Sequence, residues 1–223
     1  ATHAGNWMRV PTPDMAADLI ESEERKKDRV RVLLDRYGVL FKQVLQREAP
    51  PFRWAALFRT LRLMELSGEV LGGCFFAGLS GLQFVSHQAF RALQSQLPND
   101  AVYWMNATDP ASVCGLGIDG FRGKLPKREV GTHLVYRGSQ VMLTSQRGGK
   151  SLTISADPDD PAMTQYLAPL RHLLNRSFQP VSRLVVETIN DEHAAKSPYV
   201  DCLRTAFDAM VDYRTVTLYR RME

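Results

Sequence analysis

The 223-residue sequence holds no apolar run near the roughly 18 residues that a membrane-spanning helix needs, so no membrane partner is expected. Its longest apolar stretch, Val70 to Val85, is interrupted by Gly72, Gly73, Gly78 and Gly81 and reads as a hairpin. Cysteine is scarce: Cys74, Cys114 and Cys202 are far apart and form no C-x-x-C pair, which excludes a zinc finger or a disulfide scaffold. They read as buried thiols of a reducing compartment. The chain opens at Ala1 without an initiator Met, a charged leader or an apolar h-region. The expectation is a piece cut from a longer protein that is not secreted.

Several chemistries have no foothold. There is no G-x-x-x-x-G-K-[ST] loop to cradle nucleotide phosphates, no G-x-G-x-x-G opening a helix, no H-E-x-x-H and no G-x-S-x-G. The five histidines (His3, His87, His133, His172 and His193) stand singly, so no metal site is expected. There are no internal repeats or low-complexity tracts. What remains is 44% hydrophobic and 23% charged residues with a net charge of +4, an ordinary folded composition.

The pattern changes near residue 100. Residues 1–21 read as a loosely ordered arm, with Pro11 and Pro13 flanking Thr12. Ser22 is placed to cap a helix whose first turn holds Glu23 and Glu24. Val30, Leu33, Leu34 and Tyr37 then recur at helical spacing until Gly38. A second helix is predicted over Phe41–Glu48 and a third from about Arg53 to Ser67. On the third, Trp54, Leu57, Phe58, Leu61 and Met64 share one face, and Ala55, Arg59 and Arg62 the opposite one. Strands follow over Glu69–Phe76 and Leu82–Val85, then a helix over His87–Leu97. Three helices and a hairpin are the order of a winged helix, assigned to residues 22–98. In that fold the third helix enters the DNA major groove and the wing touches the backbone. Arg53, Arg59 and Arg62 are candidate nucleic-acid contacts, and Gln83 in the wing a candidate donor to a phosphate or base edge. Many winged helices bind proteins instead, and the apolar wing tip near Leu79 suits an oligomerisation or partner-docking domain.

Residues 101–223 read as a second domain. Strands are predicted over Val102–Asn106, His133–Tyr136, Val141–Ser145 and Ser151–Ser155, with turns at Arg137–Gln140 and Arg147–Lys150. A helix over Asp159–Phe178, a strand over Arg183–Asn190, a helix over Tyr199–Met210 and a strand over Arg214–Arg220 complete it. The fold class is α+β, a winged helix followed by a β-barrel-like antiparallel sheet domain with packed helices. Between Gly120 and Ser151 lie Arg122, Lys124, Lys127, Arg128, Arg137, Arg147 and Lys150 against the single acid Glu129, in a chain whose total is only +4. Such a local excess is a footprint for phosphates. Arg122, Lys124, Lys127, Arg128, Arg147 and Lys150 therefore join the candidate nucleic-acid residues.

Several stretches carry a resemblance. They are Leu34-Asp35-Arg36-Tyr37-Gly38-Val39, the wing from Gly72 to Phe84, Ala107-Thr108-Asp109-Pro110-Ala111, Arg147-Gly148-Gly149-Lys150-Ser151-Leu152, and Ile189-Asn190-Asp191-Glu192 with Ser197-Pro198. In order and spacing they resemble the C-terminal region of the bacterial large helicase-related proteins, very long superfamily 2 DNA helicases. After Ala111 that family continues Asn-Pro-Tyr-Gly, whereas this chain has Ser112-Val113-Cys114-Gly115. The resemblance implies a bacterial cytoplasmic DNA-repair helicase. Its ATPase core, which uses ATP and Mg, would lie upstream, and this chain would hold no cofactor of its own. The implied partners are single-stranded or duplex DNA, the upstream helicase domains and a possible second copy.

An enzyme is the alternative. Winged-helix DNA glycosylases pair a winged helix with a small β domain. A carboxylate could position water beside a flipped damaged or uracil base without a metal. Asp109, Asp119 and Asp212 are the candidate catalytic carboxylates. Tyr103, Trp104 and Phe121 are the aromatics that could stack a base.

Overall fold

A computed structural model describes Met8, residues 18–95 and residues 97–221. The predicted arm, with Trp7, Pro11 and Pro13, lies outside the described residues except for Met8 and residues 18–21. The chain divides into two compact units between Phe90 and Arg91.

In the first unit, α1 (Leu19–Tyr37) begins before Ser22: Asp18 occupies the cap position, and the Ser22 amide donates to the Asp18 carbonyl at 2.9 Å. Exposed pairs three or four residues apart, Arg25 with Glu21 and Arg31 with Asp28, line its outer face. Val30, Leu33 and Leu34 are buried on the inner one. Gly38 ends the helix at φ +70°, with its amide bonded to the Leu34 carbonyl, a conformation an L side chain rarely adopts. Next come β1 (Val39–Leu40), α2 (Lys42–Leu45), a 3-10 turn over Pro50–Phe52 and α3 (Trp54–Leu66). The strands β2 (Leu71–Gly73) and β3 (Gln83–Val85) are shorter than the sequence suggests. With β1 they form an antiparallel sheet in the order β1-β3-β2. Helix α4 (His87–Gln94) follows.

The second unit is built on a six-stranded sheet. Its chain-order strands are β4 (Val102–Asn106), β5 (His133–Arg137), β6 (Gln140–Gln146), β7 (Ser151–Ile154), β9 (Thr188–Ile189) and β10 (Glu192–His193), after β8 (Leu184–Val186). The spatial order is β10-β9-β7-β6-β5-β4, antiparallel except where β7 meets β9. A second sheet, β11-β12-β8, pairs β11 (Asp208–Val211) and β12 (Val216–Tyr219) with β8. The barrel-like expectation is corrected here: β4 and β10 are opposite edges, and among the described residues no strand closes the sheet. Each face of the open sheet is nonetheless covered. Val135, Leu143, Leu152 and Ile154 pack with Tyr166 and Leu170 from α5 (Met163–Tyr166) and α6 (Ala168–Asn175). On the other face Leu134 and Tyr136 pack with Ala107 and Cys114 of the long β4–β5 connection. Burial there pushes the Tyr136 phenol up to about 12.

Two predicted helices are revised. Asp159–Phe178 is α5 and α6, broken at Leu167 just before Pro169 starts the next turn. The segment Tyr199–Met210 is α7 (Val200–Ala206) followed by β11, because Asp208–Val211 pairs residue for residue with Val216–Tyr219. Among the thiols, Cys114 is buried and Cys202 half-buried, but Cys74 is exposed, so the expectation of three buried thiols fails at that position.

Candidate nucleic-acid interface

Helix α3 turns Leu57, Thr60, Leu61 and Met64 inward. Thr60 is buried on this face, and its hydroxyl is satisfied by donating to Glu23 of α1 at 3.1 Å. Phe58, predicted on the core face, is 39% exposed at the edge of a ring cluster with Trp54 and Phe84. Ala55, Arg59 and Arg62 are exposed, as the wheel predicts. Their freedom differs. Arg62 is held by Glu65 at 2.5 Å, and Arg53 donates to the Glu48 carbonyl at 3.0 Å. Arg59 makes no direct ion pair among the described residues. The Lys26 hydrogen bond, then Thr60, hold the Glu23 carboxyl below its usual range, and the charge of Arg59 adds to this.

Gln83 is not presented to a ligand. It is 0% exposed, and its Oε1 accepts from the Phe75 and Phe76 amides at 3.0 and 2.9 Å. Its Nε2 donates to the carbonyls of Phe76 and Leu79 at 3.1 and 3.4 Å. A buried amide must satisfy both ends, and here the backbone of the wing does so. Gln83 therefore shapes the wing, and its expected contact with a phosphate or base edge is corrected. The wing also lies close to α3. A Cβ on Gly72 would clash with the Glu65 carboxylate that holds Arg62.

The basic stretch of the second unit resolves into distinct roles. Arg128 donates to the carbonyls of Ala107, Thr108, Asp109 and Ser112, at 2.6 Å for Thr108 and 3.2–3.3 Å for the others. It is a tie for the β4–β5 connection rather than a free cation. Arg147 and Lys150 share Glu187 at 3.1 and 3.2 Å. Arg137 reaches Asp160 at 3.5 Å, and Arg122 reaches Asp119 at 3.1 Å. Lys124 and Lys127 are exposed. Arg122 and Lys127 border a cavity of about 220 Å³ walled by Leu116, Ile118, Phe121, Leu125 and Pro126. That volume is below the range of drug-sized ligand pockets.

Phe121 is 45% exposed. The other two aromatic candidates are committed to packing. Tyr103 stacks on Tyr136 with centroids 5.2 Å apart, and Trp104 packs against His133 and His172 at 5.9 and 5.1 Å. The three carboxylates all serve turns. Asp109 accepts from the Ala111 amide at 2.8 Å, Asp212 accepts from the Tyr213 amide at 2.7 Å, and Asp119 opens the 3-10 turn Asp119–Phe121. Of these, Asp119 lies in the segment that walls the cavity. Among the described residues no group of three His, Cys, Asp or Glu side chains could hold a metal ion. No helix among them is long and apolar enough to cross a membrane.

The helix order, the β1-β3-β2 sheet and the wing agree with a comparison to known families. Residues 20–105 match the model of the large helicase-related protein winged-helix domain. That match spans 86 of the 223 residues, all of the first unit from α1 onward and the start of the second. The chain is also 27% identical over 212 residues to the Lhr helicase/uracil glycosylase of Escherichia coli strain K12. That alignment covers 91% of this chain, hence parts of both units, but 13% of the relative. The exposed face of α3 is the candidate contact surface of this winged helix.

Proposed function

We propose that this chain is a DNA-gripping module of a repair helicase whose ATP-driven motor resides in other domains of the parent protein. The observation that carries this reading is Arg59. It stands on the exposed face of the third helix of a helicase-family winged helix, next to small Ala55 and without a direct ion pair among the described residues. A helix with this face outward can enter a major groove, and a guanidinium there reaches phosphates or guanine edges. Lys124 and Lys127 supply further exposed charge in the second unit. ATP and magnesium belong to the motor, since this sequence has no phosphate-cradling Gly-rich loop followed by Lys.

Titration of the chain against labelled duplex DNA at increasing salt tests the reading. Affinity should fall with a log–log slope near −0.9 per neutralised phosphate. A salt-independent affinity, or none at all, rejects it.

A second reading is supported by the cavity walled by Phe121, with Asp119 in its loop, and by the similarity to the Escherichia coli Lhr helicase/uracil glycosylase. In it a flipped base enters the cavity and a carboxylate positions water at the sugar carbon. The glycosidic C–N bond breaks to leave free base and an abasic site. Alkali-labile cleavage of a uracil-containing oligonucleotide, without ATP, is the test. Intact oligonucleotide rejects this reading while leaving the first untouched.

A further inference from the structure

Within the second unit, a further basic surface is formed by residues outside the Gly120–Ser151 segment. Helix α6, helix α7 and the end of β12 enclose a cavity of about 460 Å³, lined by Thr164, Arg171, Asn175, Thr205, Arg220 and Arg221 among others. It adjoins another of about 510 Å³ that shares Phe207, Arg220 and Arg221 and adds Arg204 and Asp208. Four arginines thus border two neighbouring hollows, and among the described residues Asp208 is the one acid in their walls. Arg204 is partly answered by Asp201 at 3.4 Å. Arg221 donates one Nη1 hydrogen to the Thr205 carbonyl at 2.6 Å, which anchors the guanidinium and leaves its other donors free. Arg171 and Arg220 are exposed, and their guanidinium groups make no ion pair or hydrogen bond among the described residues.

Like charges gathered in a concave, solvent-open wall repel one another, and the field they focus favours an anion. Guanidinium forks match phosphate oxygens, and the hydroxyls of Thr164 and Thr205 and the amide of Asn175 can donate to the same group. We propose that these joined hollows bind the sugar–phosphate backbone of a nucleic-acid strand. The arginines are distributed over two hollows instead of converging on one point. Successive phosphates of a strand can occupy both, whereas a free phosphate uses one. The site involves neither α3 nor the Gly120–Ser151 segment, so it stands or falls independently of the winged-helix reading.

The test is fluorescence anisotropy of the full 223-residue chain with a 5′-labelled single-stranded oligonucleotide across a salt series. Arg171→Ala and Arg220→Ala should each weaken binding by about three- to tenfold at low salt and make the salt slope shallower by about 0.7. Arg171→Glu should weaken it further. Arg183→Ala removes an equally exposed arginine outside the hollows and should leave the slope unchanged. Wild-type slopes in the Arg171 and Arg220 variants overturn the proposal, as does an equal loss in Arg183→Ala, which would reflect net charge alone. Inorganic phosphate is added in a parallel series against chloride of equal ionic strength. If phosphate displaces the oligonucleotide beyond that control in the wild type, and Arg171→Ala abolishes this without changing oligonucleotide affinity, the hollows hold a free anion and the strand assignment is overturned. Arg59→Ala, measured alongside, reports on α3 separately.

Discussion

His133 and Ser145 are register partners on β5 and β6, both buried, and each carries a polar atom with no hydrogen-bond partner among the described residues: Nδ1 of the histidine and Oγ of the serine. Asn106 on β4 faces His133, and its Nδ2 lies 3.1 Å from the histidine Nε2. A polar row therefore crosses the sheet on the face that α6 covers. An unsatisfied buried hydroxyl destabilises a fold by about 1–3 kcal/mol. Ser145→Ala should accordingly leave the second unit as stable or raise its stability by roughly 1 kcal/mol, read from the denaturation midpoint. A loss of more than that shows that the hydroxyl is satisfied.

The same row predicts a pH dependence. Burial, then the positive charges of His172 and Arg176, hold the His133 pKa below the ordinary 6.5. The unfolded chain takes up this proton first, so proton binding favours unfolding. Stability should be level above the unfolded value and fall as pH drops from about 6.5 toward the folded value. His133→Gln should flatten the melting temperature in that window. Glu23, whose pKa is lowered from 4.5, contributes a loss at distinctly lower pH. An unchanged slope in His133→Gln rejects the assignment.

Gln83 makes four hydrogen bonds to the wing while fully buried. Gln83→Ala should cost the first unit roughly 2–4 kcal/mol, since it removes all four of these hydrogen bonds from the backbone of the wing. Calorimetry of the variant measures this, and limited proteolysis should find new cleavage between Cys74 and Leu82. A wild-type melt contradicts the structural role.

On α3, Arg59→Ala should weaken duplex binding more than Arg62→Ala, because Arg62 must first give up Glu65. Loss of one phosphate contact makes the salt slope shallower by about 0.9. Equal affinities for wild type and Arg59→Ala remove α3 from the interface.

If the chain excises uracil, Asp119→Asn should slow the reaction by about a hundredfold or more while binding persists. Asp109→Asn should be milder because an amide oxygen can still accept from Ala111. Asp212→Asn, in the β11–β12 turn, should leave the rate unaltered. Full activity in Asp119→Asn excludes that carboxylate.

Local signals carried much of the fold. Val102–Asn106 was legible to the residue, and β5, β6 and β7 to within one, because turn residues bracket them. β1 is two residues long and exists through pairing with Val85 and Phe84 far along the chain, so no local pattern announces it. β11 contains Ala209 and Met210, good helix formers, and its pairing with β12 overrides that preference. The outer face of α3 was legible from periodicity. The roles of Gln83 and Arg128 were not, because their partners are backbone atoms, to which sequence patterns are blind. The hollows lined by Arg171, Arg204, Arg220 and Arg221 draw on three elements distant in sequence. The doublet Arg220-Arg221 at the end of a predicted strand was the one hint of them.

Glu187 holds Arg147 and Lys150 together, one carboxylate between two cations. A phosphate arriving at that turn meets an occupied pair and must displace a resident anion to gain either contact. The net gain is then the difference between two similar attractions, and the contact can be made and surrendered with little change in energy. Removing the resident charge, as in Glu187→Gln, should leave both cations open to an incoming anion.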